Sequence, residues 1–214
     1  MKVKRFQFHM FSLSVNCYIL IDEKNNAVII DPGAYYPEEK EQLKNYIINK
    51  RLNVEHVIIT HLHFDHICGL TYLYNEFGFK AEANVFDENW YEKVLVRSRK
   101  YGIEMPEEPI LFKSRLKDGD TVTFGKTTLE CIWVPGHSQD SLAYYQKESG
   151  CIFVGDVLLR GSIGRTDVEG GDIKTLYDSI VNRLFTFPDD TVLYTGHGES
   201  TTIGFEKSHI ISLK

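Results

Sequence analysis

The stretch Thr60-His61-Leu62-His63-Phe64-Asp65-His66 puts four metal-capable side chains, His61, His63, Asp65 and His66, into six consecutive positions. Val57-Ile58-Ile59-Thr60 before it reads as a short apolar strand. Residues 67–77 after it read as a helix with Ile67, Leu70, Tyr74 and Phe77 facing inward. The four donors therefore lie on a strand-to-helix turn. In extended chain, residues two apart point the same way, so His61 and His63 can grip one ion. Asp65 and His66, at the helix start, aim elsewhere and can reach a second. An isolated histidine is read by default as an ordinary surface or core residue. This cluster is not, because imidazoles and a carboxylate stacked without a cation leave one another poorly satisfied.

Upstream, residues 3–9 and 14–21 alternate as two strands, and Ala27-Val28-Ile29-Ile30 reads as a buried strand stopped by Asp31-Pro32-Gly33. Residues 37–50 spell a helix, with Pro37 in its first turn and Leu43, Tyr46, Ile47 and Lys50 at helical spacing. Downstream, a short strand is expected at 82–86. A helix at 88–101 carries Trp90, Tyr91, Val94, Leu95 and Ser98 on one side and is broken by Pro106 and Pro109. From 121 to 134 the pattern changes to two β segments about the turn Gly125-Lys126, with Cys131 and Trp133 on one face and both expected in the core. Strands near 141–146 and 151–155 follow, then a Gly-rich loop at 161–171. Asp172 caps an amphipathic helix carrying Ile173, Leu176, Tyr177, Ile180, Val181 and Leu184. A last strand, 191–194, leaves only a short tail.

A strand-to-loop boundary thus recurs at His61, His137, Asp156 and His197, and Gly136, Gly155, Gly196 and Gly198 stand beside the later candidates. Ligands at the ends of several strands converge on one edge of a sheet, and glycine lets the backbone turn there.

The bulk composition narrows the function. Lys+Arg 24 against Asp+Glu 30 gives a formal charge of −6, which weighs against nucleic acid as a partner because a phosphate backbone needs a basic face. With 43% hydrophobic and 25% charged residues over 214 positions, an ordinary globular protein with a substantial core is expected. No apolar run approaches membrane-spanning length, and Met1-Lys2-Val3-Lys4-Arg5 turns polar too soon for a signal peptide. Cys17, Cys68, Cys131 and Cys151 are scattered without a CxxC pair, which points to reduced thiols and a cytoplasmic setting.

His61-Leu62-His63-Phe64-Asp65-His66 resembles the HxHxDH signature of the metallo-β-lactamase superfamily, and His137, Asp156 and His197 match its later positions in order. The resemblance implies an α+β fold, an αββα sandwich of two mixed sheets flanked by helices. It also implies a metal centre in which His61, His63 and His137 hold one ion and Asp65, His66 and His197 hold the other. Asp156 would bridge both together with a hydroxide. Gly161-Ser162-Ile163-Gly164-Arg165-Thr166-Asp167, Gly170-Gly171-Asp172 and Thr195-Gly196-His197-Gly198 are similar to the hydroxyacylglutathione hydrolase (glyoxalase II) branch, in its short, single-domain form. Only seventeen residues follow His197, so a single domain over 1–214 is expected, without the C-terminal helical domain that helps full-length glyoxalase II hold glutathione.

The activity so implied is hydrolysis of a small-molecule thioester such as S-lactoylglutathione. Two divalent ions, zinc first, with iron or manganese accepted by the same donors, hold a hydroxide that attacks the carbonyl carbon, and a thiolate leaves. Asp65 and Asp156 act as ligands at the reacting centre. Asp31 is read either as an acceptor orienting a ligand histidine or as a strand-end turn residue before Pro32. Arg165 is read as a holder of a substrate carboxylate or as a solvated surface arginine, and Cys68 as a buried structural thiol. The rival by the same resemblance is a mononuclear-iron persulfide dioxygenase, which shares the Gly-Arg-Thr-Asp stretch; a lactonase ranks below it. Neither oligomeric state nor the thiol carrier is legible.

Overall fold

The computed structural model describes residues 1–85, 87–107 and 112–210; Phe86 and Pro109, named above as a strand end and a helix breaker, fall outside them. The chain divides into two units, Met1–Leu116 with Thr123–Thr127, and Lys117–Val122 with Thr128–Lys214.

The first unit runs β1 (Lys2–Met10), β2 (Leu13–Ile21), β3 (Asn26–Ile30), α1 (Pro37–Asn49), β4 (Asn53–Ile58), α2 (Phe64–Ile67), α3 (Leu70–Phe77), β5 (Ala81–Ala83), α4 (Trp90–Lys100) and β6 (Phe112–Arg115). Its strands form one sheet in chain order. β1, β2 and β3 pair antiparallel, and β3, β4, β5 and β6 pair parallel. β1 alternates, with Phe6, Phe8 and Met10 inward, whereas β2 and β3 are buried along nearly their whole length. That is the burial of inner strands covered on both faces. Leu43 and Ile47 of α1, Leu73 of α3 and Val94 of α4 pack with Phe8, Ile19 and Ile29 in one core. Burying each such side chain contributes about 1.5–3 kcal/mol relative to exposure.

The rest of the chain forms β7 (Thr121–Phe124), β8 (Thr127–Trp133), β9 (Leu142–Gln146), β10 (Cys151–Gly155), β11 (Leu158–Leu159), β12 (Ser162–Ile163), α5 (Ile173–Ser179), β13 (Val192–Thr195), β14 (Thr201–Thr202) and α6 (Ile203–Ile210). Residues 123–124 of β7 and the first residue of β8 fall in the first unit, and all the others lie in the second unit. Its main sheet is ordered β14-β13-β10-β9-β8-β7, and β11 and β12 form a separate small ribbon. β8, β9 and β10 pair antiparallel, β10 and β13 parallel, and β13 and β14 antiparallel. Both six-stranded sheets are thus mixed, and helices pack on each. Leu176, Ile180, Leu184 and Ile203 meet Ile132, Ile152 and Leu193 in the second core. Asp172 caps α5, its side chain accepting from the Thr175 amide at 2.7 Å. A π-helical turn, Ile180–Leu184, continues that helix.

The structure corrects five of the expectations. The first is Tyr74, which is 39% exposed and not turned inward; Leu70 and Leu73 are the buried residues of α3. Residues 67–77 are not one helix. The chain breaks between α2 and α3 at Gly69, whose amide donates to the Pro32 carbonyl at 2.8 Å; a Cβ there would stand 2.4 Å from that oxygen. Trp133 is not core. It is 36% exposed at the end of β8, its indole N–H donating to the Gln139 carbonyl at 2.9 Å, which suits a ring with a polar edge. Ile173 and Val181 are exposed, because the stripe buried in the second core is Leu176, Ile180 and Leu184, with Tyr177 packed at its edge. The chain after β13 is also more than a tail. It forms β14 and α6, pinned by the buried Glu206, which accepts from Thr201 Oγ1 at 2.6 Å and from the Gly161 amide at 3.0 Å.

Candidate metal centre

Four of the seven expected ligands belong to the first unit. β4 ends at Ile58, the chain bends at Thr60, and His63, extended at φ −75° and ψ 145°, occupies the N-cap position of α2. Asp65 and His66 therefore sit in the first turn of that helix, and His61, Asp65 and His66 are all buried. His61 Nε2 lies 3.1 Å from His63 Nδ1, the His61 and His66 ring centroids are 4.1 Å apart, and His66 Nε2 is 3.8 Å from Asp65 Oδ2.

Behind this cluster stands Asp31, at the end of β3. Its Oδ1 accepts from the Thr60 amide at 2.7 Å, and its Oδ2 accepts from Thr60 Oγ1 at 2.6 Å and lies 3.0 Å from His66 Nδ1. A carboxylate at that distance accepts a hydrogen bond from His66 Nδ1–H, so the ring's one proton sits on Nδ1 and Nε2 keeps a lone pair. The Thr60 hydroxyl has a single proton, used on Asp31, so toward His61 Nδ1 at 3.1 Å it accepts. That places the His61 proton on Nδ1 and again leaves Nε2 as the ligand atom. Asp31 holds a left-handed backbone, φ 50°, at 2% exposure. Such a conformation costs a non-glycine residue roughly 1–3 kcal/mol and persists where the surroundings enforce it.

The other three ligands belong to the second unit. His137 follows β8, and its Nδ1 lies 2.8 Å from the Arg165 carbonyl oxygen. A carbonyl only accepts, so this ring too carries its proton on Nδ1 and presents Nε2. That Nε2 is 3.7 Å from Asp156 Oδ2, and the same carboxylate oxygen is 3.1 Å from His197 Nε2. Asp156 is delivered by the irregular end of β10, where pairing with β13 shifts at Gly155, and the Gly196 amide bonds the Gly155 carbonyl at 2.7 Å. His197 sits on a turn tied by Thr195 Oγ1, which donates to the His197 carbonyl at 2.8 Å. Gly164 explains why the Gly-Arg-Thr-Asp loop begins with glycine. A Cβ at 164 would come within 1.7 Å of the Asp156 carbonyl oxygen and 3.1 Å of His137 Nδ1.

The donor set fits a divalent ion. Two imidazole nitrogens bound at 2.0–2.1 Å on a tetrahedral zinc stand about 3.3 Å apart, close to the 3.1 Å between His61 and His63. The histidine and carboxylate mixture equally suits iron or manganese.

The remaining expected residues are placed as follows. The Arg165 guanidinium is exposed and paired in two-pronged fashion with Asp167, at 2.8 and 2.9 Å, while its main-chain oxygen serves His137. Cys68 is buried, with Sγ 2.8 Å from the Phe64 carbonyl and 3.4 Å from Met105 Sδ. Burial first, then the Asp65 carboxylate, pushes its thiol well above the usual range, so it is neutral and not a nucleophile. Thr60, which fixes both Asp31 and His61, was not legible beforehand; a hydroxyl directly before the first ligand histidine is its only signal.

The histidine and carboxylate clusters at strand ends define a metal-binding protein of the α+β class. The profile of the Metallo-beta-lactamase superfamily matches residues 11–197, and the chain belongs to that superfamily and has its fold. It is 33% identical over 193 residues to hydroxyacylglutathione hydrolase GloC of Haemophilus influenzae, covering 90% of this chain and 89% of the relative. To the probable metallo-hydrolase YqgX of Bacillus subtilis it is 34% identical over 194 residues, covering 89% and 88%. Among solved structures it is similar to the BLEG-1 B3 metallo-beta-lactamase, with TM-score 0.84 and 31% identity, covering 97% of each chain. TTHA1623 in a di-iron-bound form gives TM-score 0.82 and 31% identity, covering 95% of this chain and 98% of that one. ETHE1 from Myxococcus xanthus gives 0.75 and 28%, covering 96% and 82%. The chain is a metallo-hydrolase of this superfamily, and among the described residues no helix is long and apolar enough to cross a membrane.

Proposed function

We propose that the chain is a cytoplasmic thioesterase of the hydroxyacylglutathione hydrolase type that acts on a small acyl-thiol. In this reading His61, His63 and His137 hold one divalent ion, Asp65, His66 and His197 hold a second, and Asp156 serves both. Zinc is the expected metal. When bound, such ions act as Lewis acids and lower the pKa of water from about 15.7 toward 7.

The observation that carries the reading is the common setting of three histidines from different elements. His61, His66 and His137 each have Nδ1 against an acceptor, Thr60 Oγ1, Asp31 Oδ2 and the Arg165 carbonyl, so each offers Nε2. Rings fixed in this way are preorganised ligands and lose little freedom on binding. Asp65 and Asp156 act as metal ligands and carry no proton for the reaction. A thioester suits a site without a protein acid, because a thiolate leaves readily. The similarity to GloC supports the same substrate class.

The test is elemental analysis joined to hydrolysis of S-D-lactoylglutathione. About two metal ions per chain are expected, with turnover abolished by His63→Ala and by Asp156→Ala. Robust hydrolysis surviving both changes overturns the mechanism. A second reading, a single-iron persulfide dioxygenase, draws on Gly164-Arg165-Thr166-Asp167 and on the similarity to ETHE1. One iron per chain with oxygen consumption on a persulfide, and no thioester turnover, would favour it.

A further inference from the structure

The β11–β12 ribbon of the second unit has the candidate ligands at its base. Asp156 stands just before it, and Gly164 and Arg165 stand just after it. Gly164 packs on the Asp156 carbonyl, and the Arg165 carbonyl accepts from His137 Nδ1. The base of the ribbon thus bears on two ligands, on Asp156 directly and on His137 through a main-chain oxygen. Its tip is the two-residue turn Arg160-Gly161, between the paired Leu159 and Ser162, with Gly161 at φ 71°. So short a ribbon has little stability of its own in water.

The tip is gripped from the side of the third ligand. After His197 the chain forms β14, registered on β13, and then α6, where the Phe205 amide donates to Thr202 Oγ1 at 3.3 Å. α6 turns Glu206 back toward the ribbon. This carboxylate is fully buried, with Oε1 accepting from Thr201 Oγ1 at 2.6 Å and both oxygens accepting from the Gly161 amide, at 3.0 and 3.1 Å. Arg160 reaches the other way. Its guanidinium donates to the carbonyl of Ser200, in the loop after His197, at 3.2 Å, and lies 4.7 Å from the Phe205 ring centre. Burying a carboxylate is unfavourable unless donors meet it, and hydrogen bonds to a charged acceptor are the stronger kind. The tip is therefore held from α6 and from the His197 loop at once.

We propose that Glu206 and Arg160 are positioning residues for the metal centre. By pinning the ribbon tip they keep His137, Asp156 and His197 in one ligand arrangement, acting through the Gly161 amide and the Ser200 carbonyl. The proposal rests on the reading of those three residues as metal ligands.

The experiment is competition of the zinc-loaded protein against a chelator, with the visible spectrum of the cobalt-loaded protein as a report on ligand geometry. Glu206→Gln sets an amide NH2 group against the Gly161 N–H, and Arg160→Ala removes the tie to Ser200. Each is expected to keep wild-type circular dichroism, to weaken metal binding about tenfold and to alter the cobalt spectrum. Lys207→Ala is the control, because Lys207 ties the same helix to Asp189, at 2.6 Å, and not to the ribbon. It is expected to leave affinity and spectrum at wild-type values. His197→Ala shows what loss of a ligand looks like. If Glu206→Gln and Arg160→Ala match wild type while His197→Ala loses an ion, the pin is overturned and the ligand reading stands. The pin also falls if Lys207→Ala weakens binding as much as they do, since loosening α6 anywhere would then suffice. Retention of every ion by His197→Ala overturns the ligand reading and the pin with it. Should Glu206→Gln fail to fold, Arg160→Ala, at an exposed side chain, decides alone.

Discussion

Asp31 Oδ2 stands 3.0 Å from His66 Nδ1, with the same carboxylate fixed by the Thr60 amide and hydroxyl. Asp31→Asn preserves size and tolerates the left-handed backbone, but offers a weaker acceptor to the imidazole. Metal affinity should fall about 10–100-fold with the fold retained. Competition against a chelator, read beside circular dichroism, measures this; an unchanged affinity would mean Asp31 serves the turn alone.

Gly164→Ala brings a methyl group against the Asp156 carbonyl and His137. The loop must shift, at a cost of about 1–3 kcal/mol, and metal retention should drop with it. Denaturant midpoints with and without added metal report both effects. A midpoint equal to wild type would show that the loop yields freely.

Arg165→Ala should leave the metal content at the wild-type level, since His137 is held by a main-chain oxygen and the exposed guanidinium is committed to Asp167. Elemental analysis decides. Loss of metal in this variant would show that the side chain, through Asp167, shapes the loop that holds His137.

A pH effect is expected away from the metal ligands. Burial raises the Glu82 pKa, but hydrogen bonds from His56 and Ser114 and the charges of His56 and Lys113 outweigh it, leaving the group below its ordinary 4.5. A depressed carboxylate pKa stabilises the fold above the unfolded value, and that stability is lost as pH falls through the folded value. Glu82→Gln should therefore be less stable than wild type near about pH 7, and the two should converge below 4.5. Unfolding midpoints across that range test the sign, and a constant gap down to strong acid contradicts it.

Much of this was legible in the chain itself, and the failures have physical causes. The His61 to His66 spacing, the buried run at 27–30 and the Asp172 cap are local signals, and local structure follows them. Gly69 broke a helix that periodicity joined, because the reason lies in the Pro32 carbonyl, distant in sequence. Strand alternation puts Trp133 in the core because it ignores where a strand ends. α6 is hidden in the sequence because Glu206 reads as polar tail, and its burial depends on Thr201 and Gly161. Of the candidate site, the donors could be read from spacing; the groups that set their tautomers could not, since one is a main-chain atom.

That last difference has an evolutionary side. The acceptor behind His66 is a side chain, so one codon change can retune it, whereas the acceptor behind His137 is a peptide oxygen that no substitution at 165 removes. A substitution at position 31 should accordingly change how firmly the His66 imidazole is aimed, whereas one at 165 leaves the acceptor of His137 in the main chain.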